Sequence, residues 1–247
     1  MKNVLGIIGS PRRLGNSEIM VKEISRNISE PHELSLLRLT DFNLGSCRGC
    51  YNCLFNEEGC VLKDDIHTII GAMCAADAII LAAPTYFLGA NASLKRFVDR
   101  SFTLYAHIDG LFGTPSVGIC IAGIPGKEGH GLLGVENFLK MSFTDSKLTR
   151  VVYGALPGDV FLNEENRSTA AELGKALFNP AIESTGPRCP VCGGDSFRFL
   201  GGVDILCLLC SNRGTMDASS GSPIINIVQS NHEMFLSKGN QFFTDSP

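Results

Sequence analysis

The sequence predicts an α/β fold, a doubly wound parallel sheet of five strands followed by a small C-terminal metal ribbon held by four cysteines. Short apolar segments alternate five times with segments of helical period within about 180 residues. Two Cys-x2-Cys pairs follow at 189–210, at the separation of a four-thiolate metal site. An open parallel sheet binds its ligand at the carboxyl ends of its strands, so the loops there are the expected site.

The strands are expected where short apolar runs stop at glycine, proline or a polar segment. The run at 76–83 is apolar apart from Asp77, as in a parallel strand buried on both faces, and Pro84 is expected to end it. The predicted strands are 4–8, 34–39, 76–83, 116–122 and 150–155.

The helices are expected where apolar residues recur at helical spacing. In the first helix, one face carries Met20, Val21, Ile24 and Ile28. The second opens with two aspartates, which the positive end of the helix dipole favours. The predicted helices are 17–28, 64–75, 92–102, 133–141 and 167–178.

At 247 residues the chain is longer than a usual single domain and leaves room for an appendage. We expect a first domain at 1–180, which contains a cysteine loop at 47–60. A linker with Pro, Gly and Ser is expected at 181–188, and the metal ribbon with its tail at 189–247.

The composition excludes several classes of protein. Hydrophobic residues make up 44 % and charged residues 19 %, and the formal net charge of −4 gives no electrostatic reason to bind nucleic acid. The N-terminal apolar run is too short for a signal peptide and no run reaches the length of a membrane span, so a cytoplasmic protein is expected. Thiols stay reduced there, so the ten cysteines indicate metal rather than disulfides.

Four of these cysteines lie within fourteen residues, at Cys47, Cys50, Cys53 and Cys60. The first three can turn their sulfurs to one side of a tight loop. Six further residues, ending at Gly59, let the chain bring the fourth cysteine back to them. Four convergent thiolates suit an iron–sulfur cubane. Free thiols without metal, a zinc site and a disulfide pair are the alternatives.

The segment 9–17 follows the first strand and precedes a helix. It lacks the Gly-Lys-Ser/Thr ending of a P-loop and is not a Gly-x-Gly-x-x-Gly dinucleotide turn. It suits one phosphate group, because it combines hydrogen-bond donors, positive charge and a helix N-terminus. The donors are Ser10, Asn16, Ser17 and Arg12 or Arg13.

The segment 84–89 follows the third strand. Exposed Tyr86 and Phe87 would be unusual there without a ligand to cover. Their rings and the backbone amides could contact the edge of a flat heterocycle. The alternative is that both rings pack in the core.

Three motifs carry a resemblance to a known family: Gly-Ser-Pro-Arg-Arg-x-Gly-Asn-Ser at 9–17, Cys-x2-Cys-x2-Cys-x6-Cys-x3-Asp-Asp at 47–65, and Ala-Pro-Thr-Tyr-Phe with Leu-Lys-Arg-Phe-Val-Asp-Arg at 83–100. Over about residues 1–180 the chain resembles the flavodoxin-like NAD(P)H-dependent FMN reductase superfamily, in particular its iron–sulfur flavoprotein branch.

The resemblance implies one FMN and one [4Fe–4S] cluster per subunit, in a homodimer or homotetramer where flavin and cluster of neighbouring subunits approach. The FMN phosphate would lie on Ser10, Arg12, Asn16 and Ser17, and the ring against Pro84, Thr85, Tyr86, Phe87 and Gly89. The cluster would be held by Cys47, Cys50, Cys53 and Cys60. Structural roles are expected for Asp64, Asp65 and Lys95, and Asp99 could pair with Arg100 near the flavin.

The second cysteine group consists of Cys189, Cys192, Cys207 and Cys210. Structural zinc is the favoured metal, with a rubredoxin-like single iron as the alternative. A ribbon of about thirty residues buries too little core to fold without metal. The segment 224–228 could add a strand, and the module could also be an adaptor that docks a partner.

We therefore expect an FMN-dependent oxidoreductase that passes electrons from a reduced donor, NAD(P)H or ferredoxin, to an acceptor such as a quinone. A two-electron flavin beside a one-electron cluster needs no acid–base residue from the protein, so no catalytic residue is predicted. The alternatives are a cluster-free NAD(P)H-dependent FMN or quinone reductase, and a flavin-bearing redox sensor that docks partners through its ribbon.

Overall fold

The structure, a computed structural model, describes residues 1–179, 186–219 and 221–230. The chain divides into two compact units, Met1–Glu183 and Ser184–Pro247. Residues 181–185 of the predicted linker and 231–247 of the predicted tail lie outside the described residues.

The first unit is built on a parallel sheet in the order β2-β1-β3-β5-β6. Its strands are Lys2–Ile8 (β1), His32–Arg38 (β2), Ala78–Tyr86 (β3), Gly89–Ala90 (β4), Pro115–Ala122 (β5) and Asp145–Tyr153 (β6). The short strand β4 pairs antiparallel with the end of β3. The predicted doubly wound five-stranded parallel sheet is confirmed, with β4 as a sixth strand that the sequence pattern did not predict.

The helices of this unit are Asn16–Arg26 (α1), Ile66–Cys74 (α2), Ala92–Val98 (α3), Ile108–Leu111 (α4), Gly131–Met141 (α5), Asp159–Leu162 (α6) and Glu164–Ala176 (α7). Single turns of 3-10 helix lie at Leu39–Asp41 and Asn52–Leu54, and a longer one at Ser101–His107. None of the helices in the described part of the chain is both long and apolar enough to cross a membrane.

A hydrophobic core lies on each face of the sheet. On one face, residues of β1, β3, β5 and β6 pack with those of α1, α6 and α7. On the other, Phe97 of α3 stacks on Phe138 of α5 with ring centroids 4.8 Å apart. A glycine in each of two strands lets a helix approach closely: a Cβ at Gly6 would lie 2.4 Å from Val21, and one at Gly118 would lie 2.5 Å from Val135.

Most boundaries differ from the sequence prediction by one to three residues, and three differences are instructive. Strand β3 continues through Pro84, which pairs with Ile121 at the end of the parallel ladder, where a missing N–H is tolerated. Strand β6 begins at Asp145 rather than residue 150, because an edge strand can start in exposed polar residues. Helix α3 ends at Val98.

The second unit is a four-stranded antiparallel sheet in the order β10-β9-β8-β7. Its strands are Phe197–Gly201 (β7), Asp204–Cys207 (β8), Arg213–Asp217 (β9) and Ile224–Ile227 (β10), the last at the predicted place. The buried core consists of Cys189, Ile205, Cys207 and Ile227. So small a core buries little apolar surface to stabilise the unit.

Candidate functional site

A cavity of about 150 Å³ lies where the carboxyl ends of β1, β3, β5 and β6 meet. It is lined by Ser10, Arg12, Gly15, Asn16, Ser17, Pro84, Thr85, Tyr86, Ile121, Gly123, Gly154 and Ala155. Seven of the nine predicted cofactor residues are therefore brought together. The sequence interpretation missed the last four residues, although Gly123 and Gly154 stand at the ends of two predicted strands, where a doubly wound sheet places its ligand.

A buried ion pair shapes the phosphate loop, which we define as residues 10–17. Arg38 Nη1 donates to the backbone oxygens of Ser10, at 2.6 Å, and Arg12, at 3.1 Å. Arg38 Nη2 donates to Glu18 Oε2 at 2.6 Å, and the same oxygen accepts from the Leu14 N–H at 3.0 Å. By holding these carbonyl groups, the pair fixes the path of the loop beneath the cavity.

Glu18 remains ionised because its partners outweigh its burial. Burial raises the pKa of the carboxyl, but hydrogen bonds from Lys22, the Leu14 N–H and Arg38 lower the pKa to about 2. Neither Arg38 nor Glu18 was singled out from the sequence, because a buried charge pair between a strand end and a helix has no local sequence signal.

Asn16 lines the cavity, and its side chain is hydrogen-bonded to backbone groups. Its Nδ2 donates to the carbonyls of Gly154 and Leu156, at 2.8 and 2.9 Å, and its Oδ1 accepts from the Gly158 N–H at 2.8 Å. The side chain therefore joins the phosphate loop to the loop after β6. Its side-chain amide is committed to backbone groups, so Asn16 shapes the cavity wall.

The tight turn between β3 and β4 carries the predicted aromatic residues. Phe87 and Leu88 both have left-handed backbone angles, with φ of 47° and 66°. Tyr86 lines the cavity and is 53 % exposed, whereas Phe87 is fully exposed and lies outside the lining. Gly89 also lies outside it, where a Cβ would come within 2.8 Å of His130 Nε2. Neither aromatic ring packs in the core.

A second cavity of about 150 Å³ is lined by all four thiols of the 47–60 loop. We call this arrangement, formed by Cys47, Cys50, Cys53 and Cys60, the cysteine cup. Cys47 and Cys50 are exposed and the other two half-buried. The pKa of Cys53 is raised, mainly by burial of its thiol and secondly by electrostatic repulsion from Cys60.

The cysteine cup offers sulfur ligands on one side and a cation on the other. Arg100 lines the cavity, and its Nη2 donates to Cys60 Sγ at 3.1 Å. Arg100 Nε is buried and has no acceptor among the described residues. Four thiols and a guanidinium group around one cavity fit a sulfur-ligated, anionic group such as an iron–sulfur cluster.

The second unit brings its four cysteines into a tighter array, which we call the tetrad. The sulfur atoms of Cys189, Cys192, Cys207 and Cys210 all lie within 4.8 Å of one another, with separations of 3.7 Å for Cys189–Cys210 and 3.5 Å for Cys192–Cys207. Metal–sulfur bonds of about 2.3 Å in a tetrahedron place sulfurs about 3.8 Å apart. The tetrad therefore fits one tetrahedral ion, zinc or iron.

The donors around the tetrad favour thiolates. The Gly194 N–H lies 3.4 Å from Cys192 Sγ, and Asn212 Nδ2 lies 3.3 Å from Cys210 Sγ. Burial, which opposes ionisation, raises the pKa of Cys189 to about 11 in the metal-free state. A bound cation would reverse this, since thiolates are the ligating form.

The doubly wound sheet, with a cavity and the phosphate loop at its strand ends, has the flavodoxin-like architecture. The chain belongs to the NADPH-dependent FMN reductase family, whose model matches residues 2–137. This confirms the predicted FMN-dependent oxidoreductase.

Within the family the chain is similar to iron–sulfur flavoproteins. It is 34 % identical over 186 residues to one from Methanocaldococcus jannaschii, covering 70 % of this chain and 94 % of that protein. It is 30 % identical over 181 residues to one from Archaeoglobus fulgidus, covering 73 % and 80 %. These similarities confirm the resemblance on which the sequence interpretation relied.

Solved structures share the fold. A flavone reductase superposes with a TM-score of 0.67 at 15 % identity, covering 91 % of this chain and 80 % of the other. An NAD(P)H:quinone oxidoreductase from Methanothermobacter marburgensis superposes with a TM-score of 0.52 at 20 % identity, covering 73 % and 99 %. At these identities the similarity shows the flavodoxin-like fold alone.

Proposed function

We propose that this protein is an electron-transfer flavoprotein that uses FMN and a [4Fe–4S] cluster to pass electrons from a reduced donor to an acceptor. The observation that carries the proposal is the cysteine cup, in which four thiols line one cavity of a chain from an FMN family. FMN exchanges two electrons as hydride or one at a time, and an iron–sulfur cluster exchanges one, so the pair would connect two-electron and one-electron carriers.

The proposed FMN site is the cavity at the strand ends. Ser10, Arg12 and Ser17 would bind the phosphate together with the free N–H groups of α1, and Asn16 would hold the opposite wall. Pro84, Thr85 and Tyr86 would lie along the ring. Phe87 would reach the outer edge of the ring from the exposed turn, and Gly89 would support that turn.

The thiol of Cys120 fixes one wall of this cavity. Cys120 Sγ and Thr85 Oγ1 lie 3.1 Å apart, and the thiol is fully buried. Burial raises the pKa of Cys120 to about 11, so it stays a neutral thiol at neutral pH. The contact orients the Thr85 hydroxyl without adding charge beside the ring.

The donor that we propose is NAD(P)H or ferredoxin, and the acceptor a quinone or another carrier. The family description, an NADPH-dependent FMN reductase, supports a nicotinamide donor. We also propose a homodimer or homotetramer, because the 47–60 loop carries exposed Tyr51 and Phe55, which a neighbouring subunit would cover. The second unit would act as a separate domain in which zinc, or a single iron, has a structural role.

Replacing one thiol of the cysteine cup tests the proposal. We expect Cys50→Ser to lose acid-labile sulfide and the broad visible absorption of the cluster but to keep FMN, because Cys50 lies outside the flavin cavity. The matched control is Cys74→Ser, a thiol outside both cavities, which should keep the parent spectrum. A parent protein whose spectrum is that of FMN alone, unchanged by Cys50→Ser, would instead indicate a cluster-free FMN or quinone reductase.

A further inference from the structure

Two residues from separate sequence motifs meet beneath the cysteine cup. Arg100 lies just after α3 and Asp64 just before α2, and their side chains are 1 % and 6 % exposed. They form an ion pair between Arg100 Nη1 and Asp64 Oδ2. Asp64 also accepts from the Ile66 N–H at 3.2 Å and so begins α2, as the sequence predicts. A buried arginine needs such a partner, because an unpaired buried charge is strongly unfavourable.

The same ion pair joins the two ends of the cysteine loop. Ahead of the loop, Gly45 donates its N–H to Asp64 Oδ2 at 2.7 Å, and its carbonyl accepts from Arg100 Nη1 at 3.3 Å. At the end of the loop, Arg100 Nη2 donates to Cys60 Sγ at 3.1 Å. The entering and leaving segments are therefore held by one guanidinium group.

Arg100 also has donor capacity that the described residues leave unused. Its Nε is buried and without an acceptor there, and the residue lines the cavity of the cysteine cup. As a lining residue, Arg100 places its guanidinium charge beside any acceptor held in the cavity. Sulfur atoms of an iron–sulfur group are acceptors of this kind.

From these contacts, and resting on the proposed cluster, we propose that Arg100 is a positioning residue that fixes Cys60 as a ligand and raises the reduction potential of the cluster. When one electron enters, the negative charge beside the guanidinium increases by one, with no bond formed or broken. A hydrogen bond to a ligating sulfur and a nearby positive charge both stabilise the more negative, reduced form. The planar fork of arginine is required, since it bonds Asp64, Gly45 and Cys60 together.

The experiment compares Arg100→Gln and Arg100→Lys with Arg96→Gln in the full chain, purified without oxygen. Arg96 is exposed on α3, so its replacement removes the same charge without a contact to the cysteine cup. Three quantities are measured: iron and sulfide per chain, FMN per chain, and the midpoint potential of the cluster by redox titration.

We expect Arg100→Gln to keep FMN and either to lose most of its iron and sulfide or to hold a cluster whose one-electron equilibrium constant is at least tenfold less favourable, about 59 mV lower. Arg100→Lys should keep more of its cluster but still titrate at lower potential, because the charge remains while the bond to Cys60 is lost. Arg96→Gln should match the parent. Loss of FMN from Arg100→Gln would indicate that this variant misfolds. In that case the reduction potential and the sulfide content of Arg100→Lys decide whether Arg100 has the proposed role.

Two results would overturn the inference, and they are distinguishable. A full complement of iron and sulfide with an unchanged potential in both Arg100 variants would overturn the role of Arg100 alone. A parent protein that binds FMN but holds no sulfide would overturn the proposed cluster and, with it, this role.

Discussion

Replacing Glu18 with glutamine should weaken the phosphate loop, because Glu18 is the carboxylate that compensates the buried Arg38. Arg38 would keep its bonds to the Ser10 and Arg12 carbonyls and its longer ion pair with Asp41 at 4.0 Å, but lose the charged partner at 2.6 Å. The pKa of Glu18 falls from 4.5 to about 2 on folding. These two pKa values differ by about 2.5, and each pKa unit corresponds to about 1.36 kcal/mol. The difference therefore amounts to about 3.4 kcal/mol in the free energy of unfolding. Since Lys22, one of the partners, is 40 % exposed and screened by solvent, we expect a loss of about 2–3 kcal/mol.

The stabilisation contributed by Glu18 depends on pH in a definite direction. The pKa of Glu18 is lowered in the folded state, so its stabilisation is fully present above about pH 4.5 and is lost as the pH falls toward 2. The difference between parent and Glu18→Gln should therefore be largest at neutral pH and shrink through this interval. FMN should also bind more weakly to the variant, because the loop that we propose for its phosphate is less well fixed.

The assay is urea unfolding followed by circular dichroism at several pH values, together with FMN titration. The control is Glu23→Gln on the same helix, which breaks only an ion pair with the exposed Arg26 and should cost less than about 0.5 kcal/mol. A variant as stable as the parent at neutral pH, or a difference that does not change between pH 7 and pH 3, would refute the argument.

Three further predictions concern other parts of the chain. Asn16→Ala should weaken FMN binding about 10–100-fold, because three hydrogen bonds to the loop after β6 disappear, and an unchanged dissociation constant would contradict this role. Gly59→Ala should lower iron and sulfide but not FMN, because Gly59 has φ of 84° and a Cβ there would lie 2.7 Å from Thr103 Oγ1; a full cluster content would count against it. Cys192→Ser, or removal of its metal with a chelator, should make the second unit sensitive to protease while FMN stays bound; resistance equal to the parent would show that metal does not hold the ribbon.

The sequence was sufficient for the architecture because the inner strands of the sheet are mostly buried. Strands β1, β3 and β5 are continuous apolar runs, and such runs identify buried parallel strands without any knowledge of tertiary contacts. The predicted start of strand β6 was five residues too late, because its first residues are exposed and polar at the sheet edge. Periodicity does not identify such a segment as a strand.

The predicted site was nearly complete where the residues stand in one motif and incomplete where they do not. The segments 9–17 and 84–86 are local in the sequence and converge on one cavity. Arg38 and Glu18, by contrast, act through a buried contact between β2 and α1. For the same reason, the sequence interpretation assigned Asp64 a structural role and paired Arg100 with Asp99. In the structure Asp99 pairs with Lys95, and Arg100 pairs with Asp64 and contacts Cys60.

The most direct test of the account is a count of iron, zinc, acid-labile sulfide and FMN per chain on protein purified without oxygen. We expect about four iron and four sulfide, with about one FMN and one zinc, from the cysteine cup, the flavin cavity and the tetrad. About five iron without zinc would keep the electron-transfer function and assign a single iron to the tetrad. FMN without sulfide would contradict the central claim and leave a cluster-free flavin reductase.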